Sequence, residues 1–264
     1  MSYARLVKIT ARRRAAGAAP AVLAVGAVLA QIAYPLLDGP GHALTAVTVA
    51  AVLLFWCASV THAALTLGGR AAVLLVVVAG GVGLLAESVG VATGFPFGEY
   101  SYAGTLGPQL LGVPLLVPLA WTMMAYPTLL AGRLLARGWG AIPLAAWALA
   151  AWDLFLDPQM VAAGHWTWTF PEPGLAGIDG VPLTNVAGWL LVALVMQAAL
   201  HRLLPLTRPC ADTAVPFGLL AWTWLGSTLA NAAFFGRPAV ALWGGVAMGL
   251  VVGPALVAAR RGRA

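Results

Sequence analysis

This sequence predicts an all-α, polytopic membrane bundle, and three observations predict it. Of 264 residues, 61% are hydrophobic and only 8% are charged, against about 25% charged in soluble domains. Apolar runs of bilayer-spanning length recur along almost the whole chain. The basic residues fall at alternate ends of those runs. Residues 1–264 read as a single integral membrane domain.

Eight transmembrane helices are expected, and the basic residues place them in order. Helix 1 (16–37) follows Arg5, Lys8, Arg12, Arg13 and Arg14. Arg70 separates helix 2 (43–67) from helix 3 (71–93). Arg133 and Arg137 close helix 4 (112–136), and helix 5 (140–163) returns. Arg202 and Arg208 lie between helix 6 (181–204) and helix 7 (214–235). Helix 8 (238–259) leads into Arg260, Arg261 and Arg263. Only Arg237 falls on the opposite side. The positive-inside rule then makes the count even and both termini cytoplasmic, in a multi-pass protein of the cell membrane. Read as a signal peptide, helix 1 would lack a small-residue cleavage site and would spoil the even count.

The net charge of +6 is thus a topology signal, and no nucleic-acid partner is expected, because no basic stripe lies on a polar surface. Cys57 falls mid-membrane and Cys210 in a cytoplasmic loop, so no disulfide is expected.

Three carboxyls stand out against this background: Glu87 near the end of helix 3, and Asp153 and Asp157 near the end of helix 5. An acid at membrane depth costs roughly 3 kcal/mol on insertion scales and marks a functional site. Gly80, Gly83, Glu87, Gly90 and Gly94 recur at helical spacing and form one face. Asp153 and Asp157 are four apart and share a face, as do Asn185 and Trp189. Trp224, Ser227 and Asn231 line a face of helix 7, where Ser and Asn are expected to bond across helices.

The outer loops, 94–111 and 164–180, lack Lys and Arg and are rich in Gly, Pro and aromatics. Phe95, Phe97, Tyr100 and Tyr102 lie in the first, and Trp166, Trp168 and Phe170 in the second. An interfacial aromatic belt explains any single ring. It explains less well why the rings gather in the two loops that follow the acidic helices. Gly112-Val113-Pro114-Leu115 precedes Trp121 by the same spacing as Gly180-Val181-Pro182-Leu183 precedes Trp189. That spacing suggests a parallel internal repeat of helices 3–4 and 5–6, which would bring Glu87 and the Asp pair to opposite walls of one cavity.

Several other signals carry little. Gly81-Val82-Gly83-Leu84-Leu85-Ala86 matches a dinucleotide fingerprint, but its preceding run is of membrane length and no βαβ unit follows. His42, His62, His165 and His201 are scattered and form no metal cluster. The sole lysine, Lys8, precedes the membrane, which excludes a retinal Schiff base in a helix. Asp153-x-x-x-Asp157 is half of a prenyltransferase diphosphate site, without its partner motif or nearby bases.

Glu87-x-x-Gly90, Thr93-Gly94, Phe97-Gly98-x-Tyr100-x-Tyr102, Leu106-Gly107, Gly112-Val113-Pro114 and Trp121 form one block. Asp153-x-x-x-Asp157-Pro158, Gly164-x-Trp166-x-Trp168, Gly180-Val181-Pro182, Asn185 and Gly188-Trp189 form a second. Together, over roughly 80–190, these blocks resemble the membrane carotenoid-biosynthesis proteins of the bisanhydrobacterioruberin hydratase and γ-carotene 1'-hydroxylase type. The match is weakest over Glu172–Ile178. The resemblance implies addition of water to the terminal double bond of a linear C40 or C50 carotenoid, giving a tertiary alcohol.

The chemistry this implies needs a proton donor, a wall that stabilises a carbocation, and a base for the attacking water. A carboxylic acid in a low-dielectric pocket can hold its proton at neutral pH, and aromatic faces stabilise a cation. Asp157 or Asp153 is then the acid and Glu87 the base, or the reverse. Trp121, Trp152, Trp166, Trp168 and Trp189 are candidate walls, and Tyr100, Tyr102 and Asn185 candidate donors. No cofactor and no metal are expected. The expected partners are the lipophilic carotenoid, membrane lipid and other membrane enzymes of carotenoid synthesis. Three rivals remain: a carotenoid-end cyclase using the same acid, a proton-coupled transporter, and a non-catalytic carotenoid-binding protein.

Overall fold

A computed structural model describes residues 3–37, 41–205 and 213–261, with side chains from Gly17 onward. Arg208, Cys210 and Arg263, and the side chains of Arg5, Lys8, Arg12, Arg13 and Arg14, lie outside the described residues. Eight long helices run through them: α1 Tyr3–Ala33, α2 His42–Leu67, α3 Gly69–Thr93, α4 Leu116–Leu135, α5 Ala141–Ala162, α6 Leu183–Leu203, α7 Ala214–Ala233 and α8 Pro238–Arg261. The protein is an all-α bundle of membrane type.

Six of these helices are long and apolar enough to cross a membrane, and α4 and α7 are the two that are not. Their sequences explain why. Each runs for 20 residues and carries polar groups that it turns inward. Thr122 and Thr128 of α4 and Thr223 and Asn231 of α7 are all buried. Large apolar side chains are exposed along the helices, among them Val73, Val77, Leu85, Leu225 and Leu250, as a surface in contact with lipid requires.

Two helix starts differ from expectation by four residues or more. Helix α1 reaches back to Tyr3 instead of starting near 16. Helix α4 starts at Leu116, because the preceding residues form a hairpin of β2 (Gln109–Leu110) and β3 (Val113–Pro114). Its turn uses Leu111 and Gly112, with φ of 54° and 80°. Helix α3 is continuous through Gly81-Val82-Gly83, with one π-helical stretch at Val76–Gly80, so this segment makes no phosphate loop.

Helix α5, which carries both aspartates, sits at the centre and packs on α4, α6 and α8. Ala141, Ala145, Ala146 and Ala148 are buried along it, and small side chains let helices approach closely. At the α4–α5 turn a Cβ on Gly132 would lie 2.3 Å from the Ala141 carbonyl, so only glycine fits there.

The loops after α3 and α5 join each other. Strand β1 (Tyr100–Tyr102) pairs antiparallel with β4 (Trp166–Trp168), setting Tyr100 against Trp168, Ser101 against Thr167 and Tyr102 against Trp166. Gly112 and Gly180, equivalent in the repeat, adopt the same left-handed conformation, with φ of 80° and 79°. Trp121 and Trp189, also equivalent, stack on each other with centroids 3.8 Å apart and planes 15° off parallel. The residues at matching positions of the two blocks thus meet face to face.

Gly188 seats the first loop on α6. A Cβ there would lie 2.6 Å from the Pro96 carbonyl oxygen and 2.8 Å from the Phe97 ring. Backbone cannot yield as a side chain would. Gly188→Ala is expected to lower stability by about 1–3 kcal/mol, read as an earlier thermal transition in detergent, and an unchanged transition would contradict this seating.

Candidate active site

The face of α3 that carries Glu87 packs against rings, and its glycines make room for them. A Cβ on Gly83 would lie 2.8 Å from the Trp121 indole, and one on Gly90 2.9 Å from both the Phe97 ring and the Tyr100 hydroxyl. The rings admitted by these glycines turn their donors onto one carboxyl. Tyr100 Oη donates to Glu87 Oε2 at 2.5 Å, Tyr102 Oη to the same oxygen at 2.8 Å, and Trp121 Nε1 to Oε1 at 3.0 Å. Glu87 is buried, and these are charge-assisted geometries when the carboxylate is ionised.

The aspartates make a second centre on α5. Asn185 of α6 donates its Nδ2 to Asp153 Oδ2 at 2.9 Å and also to Asp157 Oδ2. Trp166 Nε1 donates to Asp157 Oδ1 at 3.1 Å. Asp153 Oδ1 has no partner among the described residues. Both aspartates and Asn185 are buried.

Glu87 and Asp157 line one small cavity of about 60 Å³. Tyr100, Tyr102, Trp121, Trp166, Trp168, Trp189 and Asn185 line it as well. Ten residues proposed from the sequence are therefore adjacent, counting Asp153, which reaches this wall through Asn185. Trp152 stands apart: it meets Trp189 edge to face at 5.9 Å and lines a neighbouring cavity instead. Trp168 stacks on Tyr100 at 5.6 Å, and its Nε1 donates to the Phe97 carbonyl. Tyr102 meets Trp166 edge to face at 5.6 Å.

Other wall residues went unmarked in the sequence. Leu156 and Met160 line the cavity and share the 153/157 face of α5, so helical spacing from the acids was the signal for them. Thr48 and Val52 of α2 also line it, and no local feature of α2 announces this. His165 ties the loops together: its Nδ1 bonds Thr105 Oγ1 at 2.7 Å, and its carbonyl accepts from Ala103. Burial pulls the His165 pKa below the usual histidine range, so it is neutral at pH 7.

Burial first, and the Glu87 carboxylate second, hold the Tyr100 and Tyr102 phenols well above the ordinary tyrosine range. Both stay hydrogen-bond donors at neutral pH. A raised folded-state pKa contributes stability that is complete below the unfolded value of about 10 and lost as pH rises beyond it. Thermal stability is therefore expected to hold to about pH 10 and then fall. Tyr102→Phe should flatten that alkaline slope, and identical slopes in both proteins would exclude Tyr102 as its source.

A bisanhydrobacterioruberin hydratase of Haloarcula japonica is 36% identical to this chain over 172 residues, which is 58% of this chain and 56% of the relative. The chain thus spans little more than half the length of that relative in the match. No solved structure matches. Residues 46–255 match the profile of the carotenoid biosynthesis protein family, a stretch that takes in both acidic helices, both loops and the cavity between them, and the chain belongs to that family.

Proposed function

We propose that this protein is a carotenoid hydratase that adds water to the terminal trisubstituted double bond of a linear carotenoid without a cofactor. One observation carries the reading: Glu87 of α3 and Asp157 of α5 face one aromatic-walled cavity. The hydratase name of the Haloarcula japonica relative supports it.

Asp157 is the proton donor in this mechanism. A second carboxyl, Asp153, meets it at Asn185, whose Nδ2 donates to both and holds the pair in place. Transfer of that proton to the CH carbon of the double bond leaves a cation on the tertiary carbon. The Trp121, Trp166 and Trp189 rings face it, an attraction worth about 2 kcal/mol when desolvated. Water attacks the cation, and its released proton passes to Glu87, directly or through the Tyr102 hydroxyl. The proton returns from Glu87 to Asp157 between turnovers, and the net change is one water added across one double bond. Asp153 acts through Asn185 as a positioning residue.

Both termini are proposed to be cytoplasmic in the cell membrane, on the distribution of the fourteen basic residues, of which only Arg237 stands opposite. A proton-coupled transporter would need polar groups lining a path to both faces. A second buried polar cluster exists, with His62 bonded to Tyr126 and Gln197 bonded to Thr128, but these residues line neither of the two cavities described. The cyclase uses the same acid and differs in excluding water.

The test is expression in cells that make a linear carotenoid, with pigments separated and weighed. Products heavier by one or two waters are expected. A product of unchanged mass and altered retention would make the protein a cyclase, and no new product would end the enzyme reading.

A further inference from the structure

Beside the acid pocket lies a larger cavity, about 310 Å³, at the lower end of the range for small-molecule sites. Thr48, Val52, Leu156 and Met160 line both cavities, so these four side chains are the partition between them. Its rim is open. Leu36, Leu229 and Phe234 line it and are 67%, 61% and 58% exposed. A lipophilic molecule can therefore enter from the bilayer between α1 and α7 and reach the acids past Leu156 and Met160.

The wall of this cavity is not wholly apolar. Asn231 of α7 is 1% exposed and lines it. Its Nδ2 donates to the Ser227 carbonyl at 2.9 Å within its own helix, instead of bonding across helices as expected from the sequence. Its Oδ1 has no partner among the described residues. A buried amide oxygen left unpaired costs about 1–3 kcal/mol. It can only accept, so it is satisfied by a ligand that brings an O–H and not by a hydrocarbon or a carbonyl.

We infer that the larger cavity is a binding site for the body of an acyclic isoprenoid polyene, and that Asn231 selects for a polyene bearing a hydroxyl. This rests on the hydratase reading for the identity of the polyene, and not for the site itself. Two sources supply such a hydroxyl: a substrate hydroxylated by an earlier reaction, or the hydrated product.

Binding is measured in the Asp157→Asn background, where turnover does not intrude. Three probes are used: an acyclic C40 polyene hydrocarbon, the same polyene with one tertiary hydroxyl and one intact terminal double bond, and the form hydrated at both ends. Quenching of tryptophan fluorescence reports occupancy, since Trp152 and Trp222 line the cavity. Asn231→Leu is expected to weaken the hydroxylated polyenes about fivefold to tenfold, the worth of one hydrogen bond, and to change the hydrocarbon less than about twofold. Preference for the singly hydroxylated form assigns the hydroxyl to a substrate, and preference for the doubly hydrated form to the product. Equal losses for all three probes, or none, would mean that Asn231 serves a water, and the inference would fail. Ser227→Phe fills the same cavity from a half-buried position and should expel every probe; full retention would overturn the site even if the Asn231 variant did not fold. Failure of hydration in wild type would leave these binding results standing.

Discussion

Asp157→Asn is expected to leave a folded protein that has lost nearly all hydration, by about 10²–10⁴-fold, the usual worth of a general acid. The new amide keeps the volume of the carboxyl and an oxygen able to accept from Trp166, whose Nε1 now donates to Asp157 at 3.1 Å. Its nitrogen faces Asn185, a donor, so that contact is lost at a cost of roughly 1–3 kcal/mol. The protein should still leave the membrane as a single species in detergent, with a modestly earlier thermal transition. What the amide lacks is a transferable proton. Asp153→Asn is the instructive comparison, because Asp153 touches Asn185 and does not line the cavity. That variant should lose less activity, with a shifted pH profile as the second carboxyl beside Asn185 is lost. Mass-spectrometric product yield per folded protein measures both. Wild-type turnover by Asp157→Asn, or a larger loss in Asp153→Asn, would move the acid role to another carboxyl.

The helices were legible because lipid imposes one rule on every segment: long apolar runs with charges at their ends. The sequence places all eight in the order observed, and the boundary at 112–116 was missed because the β2–β3 turn forms from Leu111 and Gly112, within a stretch that reads as continuously apolar. The acids were legible for the converse reason, since a carboxyl among apolar residues has few structural explanations. The equal Gly-to-Trp spacing suggested that Glu87 and the aspartates share a cavity, which Glu87 and Asp157 do, but not that Trp121 and Trp189 stack on each other. What could not be read was partnership across the bundle. Nothing near Thr48 or Val52 signals that α2 closes the acid pocket. The glycines recur on the Glu87 face in the sequence, but that they admit the Trp121 indole and the Tyr100 phenol is set by tertiary packing. Asn231 read as a cross-helix bond and instead faces a cavity. Periodicity fixes which residues share a face, but which neighbour meets that face is set by tertiary packing.

Glu87 is expected to separate fold from chemistry in a way Asp157 does not. Its carboxyl is the common acceptor for Tyr100, Tyr102 and Trp121. These three come from β1 and α4, so the residue joins α3 to the loop and to the next helix. Glu87→Ala strands three buried donors, each at about 1–3 kcal/mol, and opens a cavity beside Trp121. A loss of several kcal/mol is expected, seen as a sharply earlier thermal transition and poor recovery from membranes. Glu87→Gln should behave differently. Its oxygen still accepts, and the tyrosine hydroxyls can rotate to accept from the new amide, since each is both donor and acceptor. Stability is then largely kept while the proton acceptor for the attacking water is gone, so hydration should fall by about 10²–10⁴-fold. Stability equal to wild type in Glu87→Ala would show that the three hydrogen bonds do not hold β1 in place. Undiminished hydration in Glu87→Gln would remove the base from the mechanism and leave the aspartate pair to perform both proton transfers.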